Sequence, residues 1–123
     1  MSKKEIFKNK IENLLKNLKI SRGDNILVHS NSAGIHQFFN ERKKKNLKFF
    51  IELVLNIIGK KGTLLIPAYN YDFTRGKTFN RKKSLSQVGE LSNFLIKLNP
   101  SNRTYEPVFS HIVFGKLKEN HLC

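Results

Sequence analysis

Apolar positions along the chain form three helix-period stripes separated by three short β-branched runs. Phe7, Ile11, Leu14, Leu15 and Leu18 lie on one face of a helix over about residues 4–18, and Ser2 with Glu5 has capping-box spacing at its start. Leu47, Phe50, Ile51, Val54 and Ile58 repeat in the same way over 47–58, with Gly59 as a natural residue just past the end. Leu91, Phe94, Leu95 and Leu98 predict a third helix near 87–97, with Ser86 as its N-cap. Residues 26–29, 64–66 and 112–114 are too short for helices and read as buried strands. The order helix, strand, helix, strand predicts parallel strands with right-handed crossovers. The fold class is therefore α/β, a three-layer α/β/α sandwich with a mainly parallel sheet in a single domain over residues 1–123.

Open α/β sheets place ligand crevices beyond the carboxyl ends of their strands. After the first strand come His29, Ser30, Asn31, Ser32, Ala33 and Gly34, where small hydroxyl residues and a glycine let a backbone approach a ligand closely. His29 there is either a general base or a hydrogen-bonded structural group. After the second strand, Pro67 ends the ladder and Tyr69, Asn70, Tyr71, Asp72 and Phe73 alternate aromatic with polar. Two phenols, an amide and a carboxylate could bind a polyol or an amine; the same residues also suit a polar loop closed by a structural aromatic pair. The free N–H groups of a helix starting at Ser86, behind Arg81, Lys82 and Lys83, could hold a phosphate or a carbonyl. Gly76-Lys77-Thr78 is not the end of a P-loop, because the earlier glycine is missing at the needed spacing.

Three of these blocks, DNILVHSNSAGI, GTLLIPAYNYDF and SLSQVGELSNFL, stand in an order and spacing that resembles the aminoglycoside 3-N-acetyltransferase family. The version with a Tyr-Asp-Phe loop is most similar to members associated with sugar N-acetylation and surface polysaccharide. The resemblance runs from about residue 11 to residue 115 and covers only the amino-terminal half of the family's length, so the fold is expected to be incomplete. It implies acetyl-CoA as cofactor, held by His29, Ser30, Asn31, Ser32 and Gly34 along the pantetheine arm and by Ser86, Val88 and Gly89 at the helix start. Leu85 departs from the proline usual before that segment. It implies Tyr69, Tyr71, Asp72, Glu106 and Ser110 on the side of the acceptor amine, with Glu106-Pro107 replacing the family's His-Pro or Asp-Pro. A carboxylate at Glu106 suits an amine; a loop salt bridge to Arg103 is the alternative. The family's base is a histidine in the carboxyl-terminal half, and His36, His111 and His121 do not match its motif. No catalytic residue is assigned, and acetyl transfer by this chain alone is expected at no more than a trace rate.

Composition narrows the alternatives. A net charge of +14 admits a phosphate-rich partner, but 18 of the 23 basic residues are lysine and they are spread along the chain rather than set on one aromatic-studded face. No apolar run is long enough to span a membrane, and no secretory h-region follows Met1. The single cysteine, Cys123, excludes a disulfide framework and a cysteine-based metal site, so the cytoplasm is the default and no metal is expected. Three functions remain: an acetyl-CoA-dependent N-acetyltransferase in truncated or split form, with a separately encoded carboxyl-terminal half as partner; an inactive fragment of that family; or a small basic nucleic-acid-binding module. The acceptor is a small-molecule amine, an aminoglycoside or an amino sugar, and the Tyr-Asp-Phe loop favours the sugar.

Overall fold

The computed structural model describes residues 2–29 and 43–122. Helix α1, Lys3–Asn17, starts where the Ser2 hydroxyl accepts the Glu5 N–H at 3.2 Å. Its stripe is narrower than the spacing predicts. Phe7 and Leu15 are buried, but Leu14 and Leu18 are more than half exposed. The reason is position: among the described residues α1 packs chiefly on helix α2 (Lys43–Ile58), through pairs such as Phe7 and Phe49. The five predicted positions of α2, Leu47, Phe50, Ile51, Val54 and Ile58, are all buried.

Three strands follow the expected placement: β1 is Asn25–Leu27, β2 is Thr63–Pro67 and β3 is His111–Gly115, in spatial order β1-β2-β3. β1 and β2 are parallel, with Ile26 opposite Leu64. β3 runs antiparallel to β2, with Pro67 opposite His111 and Thr63 opposite Gly115. The sheet is therefore mixed, with one parallel and one antiparallel pair, where a mainly parallel sheet is expected. Helix α3, Glu90–Leu98, does not cross over to a parallel strand; the chain turns through a 3₁₀ segment, Pro100–Asn102, and enters β3 from the opposite end. A short helix α4, Lys118–Leu122, follows.

One core joins Phe7 and Leu15 of α1, the buried face of α2, and Leu91, Leu95 and Ile96 of α3 to Leu64, Ile66 and Ile112. Alternation puts Leu64 and Ile66 on one sheet face, and directly opposed residues share a face, so this face carries the helical layer. On the other face Leu27 is 55% exposed. The result is an incomplete α/β fold. Among the described residues no helix is long and apolar enough to cross a membrane.

The β2–β3 pair closes through glycine. A Cβ on Gly115, whose φ is 111°, would lie 2.1 Å from the Gly62 carbonyl oxygen, so both the backbone conformation and the space require its absence. Gly115→Ala is expected to lower the unfolding free energy by at least ~2 kcal/mol, against under ~1 kcal/mol for Leu98→Ala at an exposed position, as read by urea unfolding.

Candidate functional site

The site is built at the end of the sheet where β1 and β2 finish. Val28 extends the parallel pairing one residue past β1, its N–H reaching the Leu65 carbonyl at 2.9 Å. Val28, His29, Ile66 and Pro67 form one wall of a narrow cleft, and Val88, Gly89, Leu91 and Ser92 form the other. Its volume of about 10 Å³ is roughly that of one water. The end of β1 and the start of α3 thus line one cleft.

The details at α3 differ from expectation. The helix begins at Glu90, and its N-cap is Gly89, with φ 141° and no side-chain cap. That backbone is closed to most side chains and cannot be helical, which is why the helix starts three residues late. Ser86 is not the cap. It is buried, its N–H bonded to Asn93 Oδ1 at 2.7 Å and its hydroxyl holding the Val88 N–H and the Ser92 hydroxyl. Ser86 therefore shapes the bend that presents Val88 and Gly89, instead of facing a ligand itself. Of the strand-end loop, only His29 is described, exposed at the cleft. Ser30, Asn31, Ser32 and Gly34 lie outside the described residues.

Beside the cleft stands an aromatic wall. Tyr69 meets Phe109 and His111 edge-on, with ring centroids 5.3 and 5.2 Å apart, and Tyr71 meets Phe109 at 6.4 Å. The Tyr69 hydroxyl is 3.1 Å from His111 Nε2. Gln87 holds the loop behind these rings. Its N–H donates to the Tyr69 carbonyl, its Oε1 accepts from the Tyr71 N–H, and its Nε2 donates to Asp72 Oδ1. Buried Asn70 adds a bond from Nδ2 to the Leu85 carbonyl and accepts the Asp72 N–H. The result is a half-exposed aromatic face with a carboxylate fixed at its edge. Gln87, Phe109 and His111 were not singled out by spacing, since only the antiparallel return of β3 brings 109 and 111 to the 69–72 loop.

Two residues expected on the acceptor side are placed otherwise. Ser110 is fully buried; its hydroxyl donates to the Ala68 carbonyl and accepts from Arg103 Nε, both at 2.9 Å, so its role is structural. Glu106 is exposed, and among the described residues it forms no ion pair with Arg103. Arg103 instead sits wholly inside the protein. Its Nη1 donates to the carbonyls of Arg81 and Ser84 and its Nη2 to that of Ala68, while the guanidinium lies 4.8 Å over the Phe79 ring. Burial, and then the neighbouring Arg81 charge, lower its pKa to about 10, so it remains protonated at neutral pH. Arg81 returns the contact through Nε to the Arg103 carbonyl and stacks 4.0 Å over Tyr105.

A larger groove of about 870 Å³ lies at the other end of the strands, between Arg22, Leu55, Lys60, Lys61 and Phe114. It contains none of the residues expected to bind a cofactor or an acceptor. Among the described residues no cluster of three or more metal-ligating side chains occurs.

No family model matches the chain, and no curated protein does. Solved structures do. The YokD protein from Bacillus subtilis superposes with a TM-score of 0.71 at 20% identity, over 92% of this chain and 51% of its own. Aminoglycoside acetyltransferase AAC(3)-IVa gives 0.70 at 23% identity, over 94% and 42%. AAC-IIIb, solved as a binary complex with CoASH, gives 0.65 at 20%, over 91% and 47%. The chain has the fold of part of the aminoglycoside 3-N-acetyltransferases, spanning about half the length of these proteins, as an amino-terminal half would.

Arg103→Met would take the guanidinium donor from the Arg81 and Ser84 carbonyls and from the Ser110 hydroxyl, and leave the Ala68 carbonyl with the Ser110 hydroxyl alone. It is expected to cost at least ~3 kcal/mol of stability in urea unfolding, while Arg81→Met, on the partly open side, costs under ~1.5 kcal/mol.

Proposed function

We propose that the chain is the amino-terminal portion of an acetyl-CoA-dependent N-acetyltransferase whose acceptor is an amino group on an aminoglycoside or amino sugar. One observation supports this most: the cleft at the start of α3 and the aromatic wall share Pro67, which lines the first and stands opposite His111 of the second. A donor site and an acceptor site are therefore neighbours, as group transfer requires.

The residues present fit the cofactor's chemistry. Val28, Ile66, Pro67 and Val88 offer apolar walls suited to a pantetheine arm. Gly89 keeps its backbone open, and the start of α3, which has no side-chain cap, lines the cleft, where backbone N–H groups would polarise a thioester carbonyl. Bound acetyl-CoA would supply an activated acetyl group. His29, at the rim, is placed to meet the arm rather than the amine, and with Val88 and Gly89 it forms the described part of the cofactor site; Ser30, Asn31, Ser32 and Gly34 would complete it.

On the acceptor side, Tyr69 and Tyr71 give a face for a sugar ring, and Asp72 both attracts an ammonium group and orients the free amine. Glu106, exposed on the segment leading to Phe109, adds a second negative charge. AAC(3)-IVa and AAC-IIIb are named as aminoglycoside acetyltransferases, which is consistent with an amine of this class.

Titration calorimetry with acetyl-CoA tests the reading. Saturable binding is expected, weakened at least ~10-fold by Gly89→Val and changed less than ~2-fold by Lys116→Ala. Acceptor binding should weaken by about 10-fold in Asp72→Asn, the loss of one charge-assisted contact. No measurable affinity for acetyl-CoA or CoA in the unmodified chain would refute the proposal.

A further inference from the structure

We infer that Gln87 is a positioning residue for the acceptor amine: it holds the Asp72 carboxylate and links it to the cofactor segment. This role rests on the acetyl-transfer reading above. Three hydrogen bonds join Gln87 to the loop after β2, and chemistry fixes the direction of each. The Tyr71 N–H can only donate, so the atom 3.1 Å from it is the Gln87 oxygen, Oε1. That leaves the NH₂ group to donate to Asp72 Oδ1 at 3.2 Å. The Gln87 backbone N–H donates to the Tyr69 carbonyl at 2.8 Å. One residue thus touches Tyr69, Tyr71 and Asp72, the three groups of the proposed acceptor face.

The backbone and the carboxylate of Asp72 are held separately. Its N–H donates to Asn70 Oδ1, and its carbonyl accepts the Lys77 N–H. These bonds fix where the residue stands but not where its carboxylate points; among the described residues that is left to Gln87. The holder is also neutral. In a chain of net charge +14, Asp72 forms no ion pair among the described residues. A lysine at position 87 would orient the carboxylate and cancel its charge. An amide orients it without cancelling anything, so a full negative charge and Oδ2 stay available to an ammonium group.

Gln87 is followed directly by Val88 and Gly89, which line the cleft. Before it, buried Ser86 is anchored through its N–H, hydroxyl and carbonyl. Residue 87 therefore lies between a fixed point and the cofactor segment. Its side chain is exposed, where water competes for both of its bonds. A CoA arm against Val88 and Gly89 restricts residue 87. An amine on Asp72 covers the Gln87 bond and shields it from water, which strengthens it. Each ligand orders what the other needs, and linkage makes the effect equal in both directions.

Calorimetry with CoA, which cannot transfer an acetyl group, and with kanamycin or glucosamine as the amine tests this role. In the unmodified chain saturating CoA is expected to tighten amine binding at least ~5-fold. Gln87→Met removes both side-chain bonds at nearly constant length. In it that ratio should fall below ~2, with CoA affinity alone within ~2-fold of the unmodified chain. Hydrogen exchange at the Tyr71 amide should speed up in the same variant. Gln87→Glu separates position from charge, since it keeps an oxygen for Tyr71 and adds a negative charge but repels the Asp72 carboxylate. Weaker amine binding is expected; tighter binding would show that charge alone acts there and would overturn the proposal. So would unchanged exchange at Tyr71, coupling retained in Gln87→Met, or no coupling in an unmodified chain that binds both ligands. CoA binding with no affinity for either amine removes this role and leaves the cofactor site standing. No binding of CoA removes the acetyl-transfer reading and this role together.

Discussion

A guanidinium taken wholly out of water, with no carboxylate beside it among the described residues, is the constraint on which this end of the molecule depends. Removing a charge from water costs several kcal/mol, and it is tolerated only where the donors are nearly all used. Arg103 uses them on the carbonyls of Ala68, Arg81 and Ser84 and on the hydroxyl of Ser110. Those four groups lie on the exit of β2, the loop before Ser86 and the residue before β3. The exit of β2 and the residue before β3 are also joined by the Ala68 N–H to the Ser110 carbonyl, whereas residues 81–84 lie in no helix or strand. Arginine suits the position because its planar fork reaches several acceptors at once, which a lysine cannot do.

Around that centre the candidate site is assembled in two steps. Arg103 and Ser110 fix the Ala68 carbonyl, so the chain leaves β2 in one direction. Gln87 and Asn70 then tie residues 69–72 to residues 85–87, which sets both the aromatic wall and the bend into Gly89. The cleft and the aromatic wall are thus positioned by one continuous network. Displacing a loop of this network would alter both, since coupling through shared hydrogen bonds is not confined to one side.

Much of this was readable in the sequence, and for identifiable reasons. The stripe of α2 is buried at every predicted position because that helix lies over the centre of the sheet. The loops after β1 and β2 stand out in the sequence because strand-end chemistry is local; of the first only His29 is described, and residues 69–72 of the second build the aromatic wall. What spacing could not supply was long-range. A mainly parallel sheet left the direction of β3 open, since strand direction depends on how the chain returns from α3. The same return carries Phe109 and His111 to Tyr69. Ser86 and Ser110 were read as ligand contacts because small hydroxyl residues in loops serve ligands and internal bonds alike; their burial decides for the second. Gly89 rather than Ser86 starts α3, a difference set by one backbone angle.

The most direct measurement of the central claim is native-state hydrogen exchange in Arg103→Lys, which keeps the charge and loses the fork. The amides of Ala68, Asn70 and Gln87 donate to Ser110, Val108 and Tyr69, at 2.9, 3.1 and 2.8 Å. If Arg103 holds these segments together, all three lose protection in the variant while Val54 in α2 keeps its own. Unchanged protection at the three amides, or an equal loss at Val54, would show that the site is held by something other than the buried guanidinium.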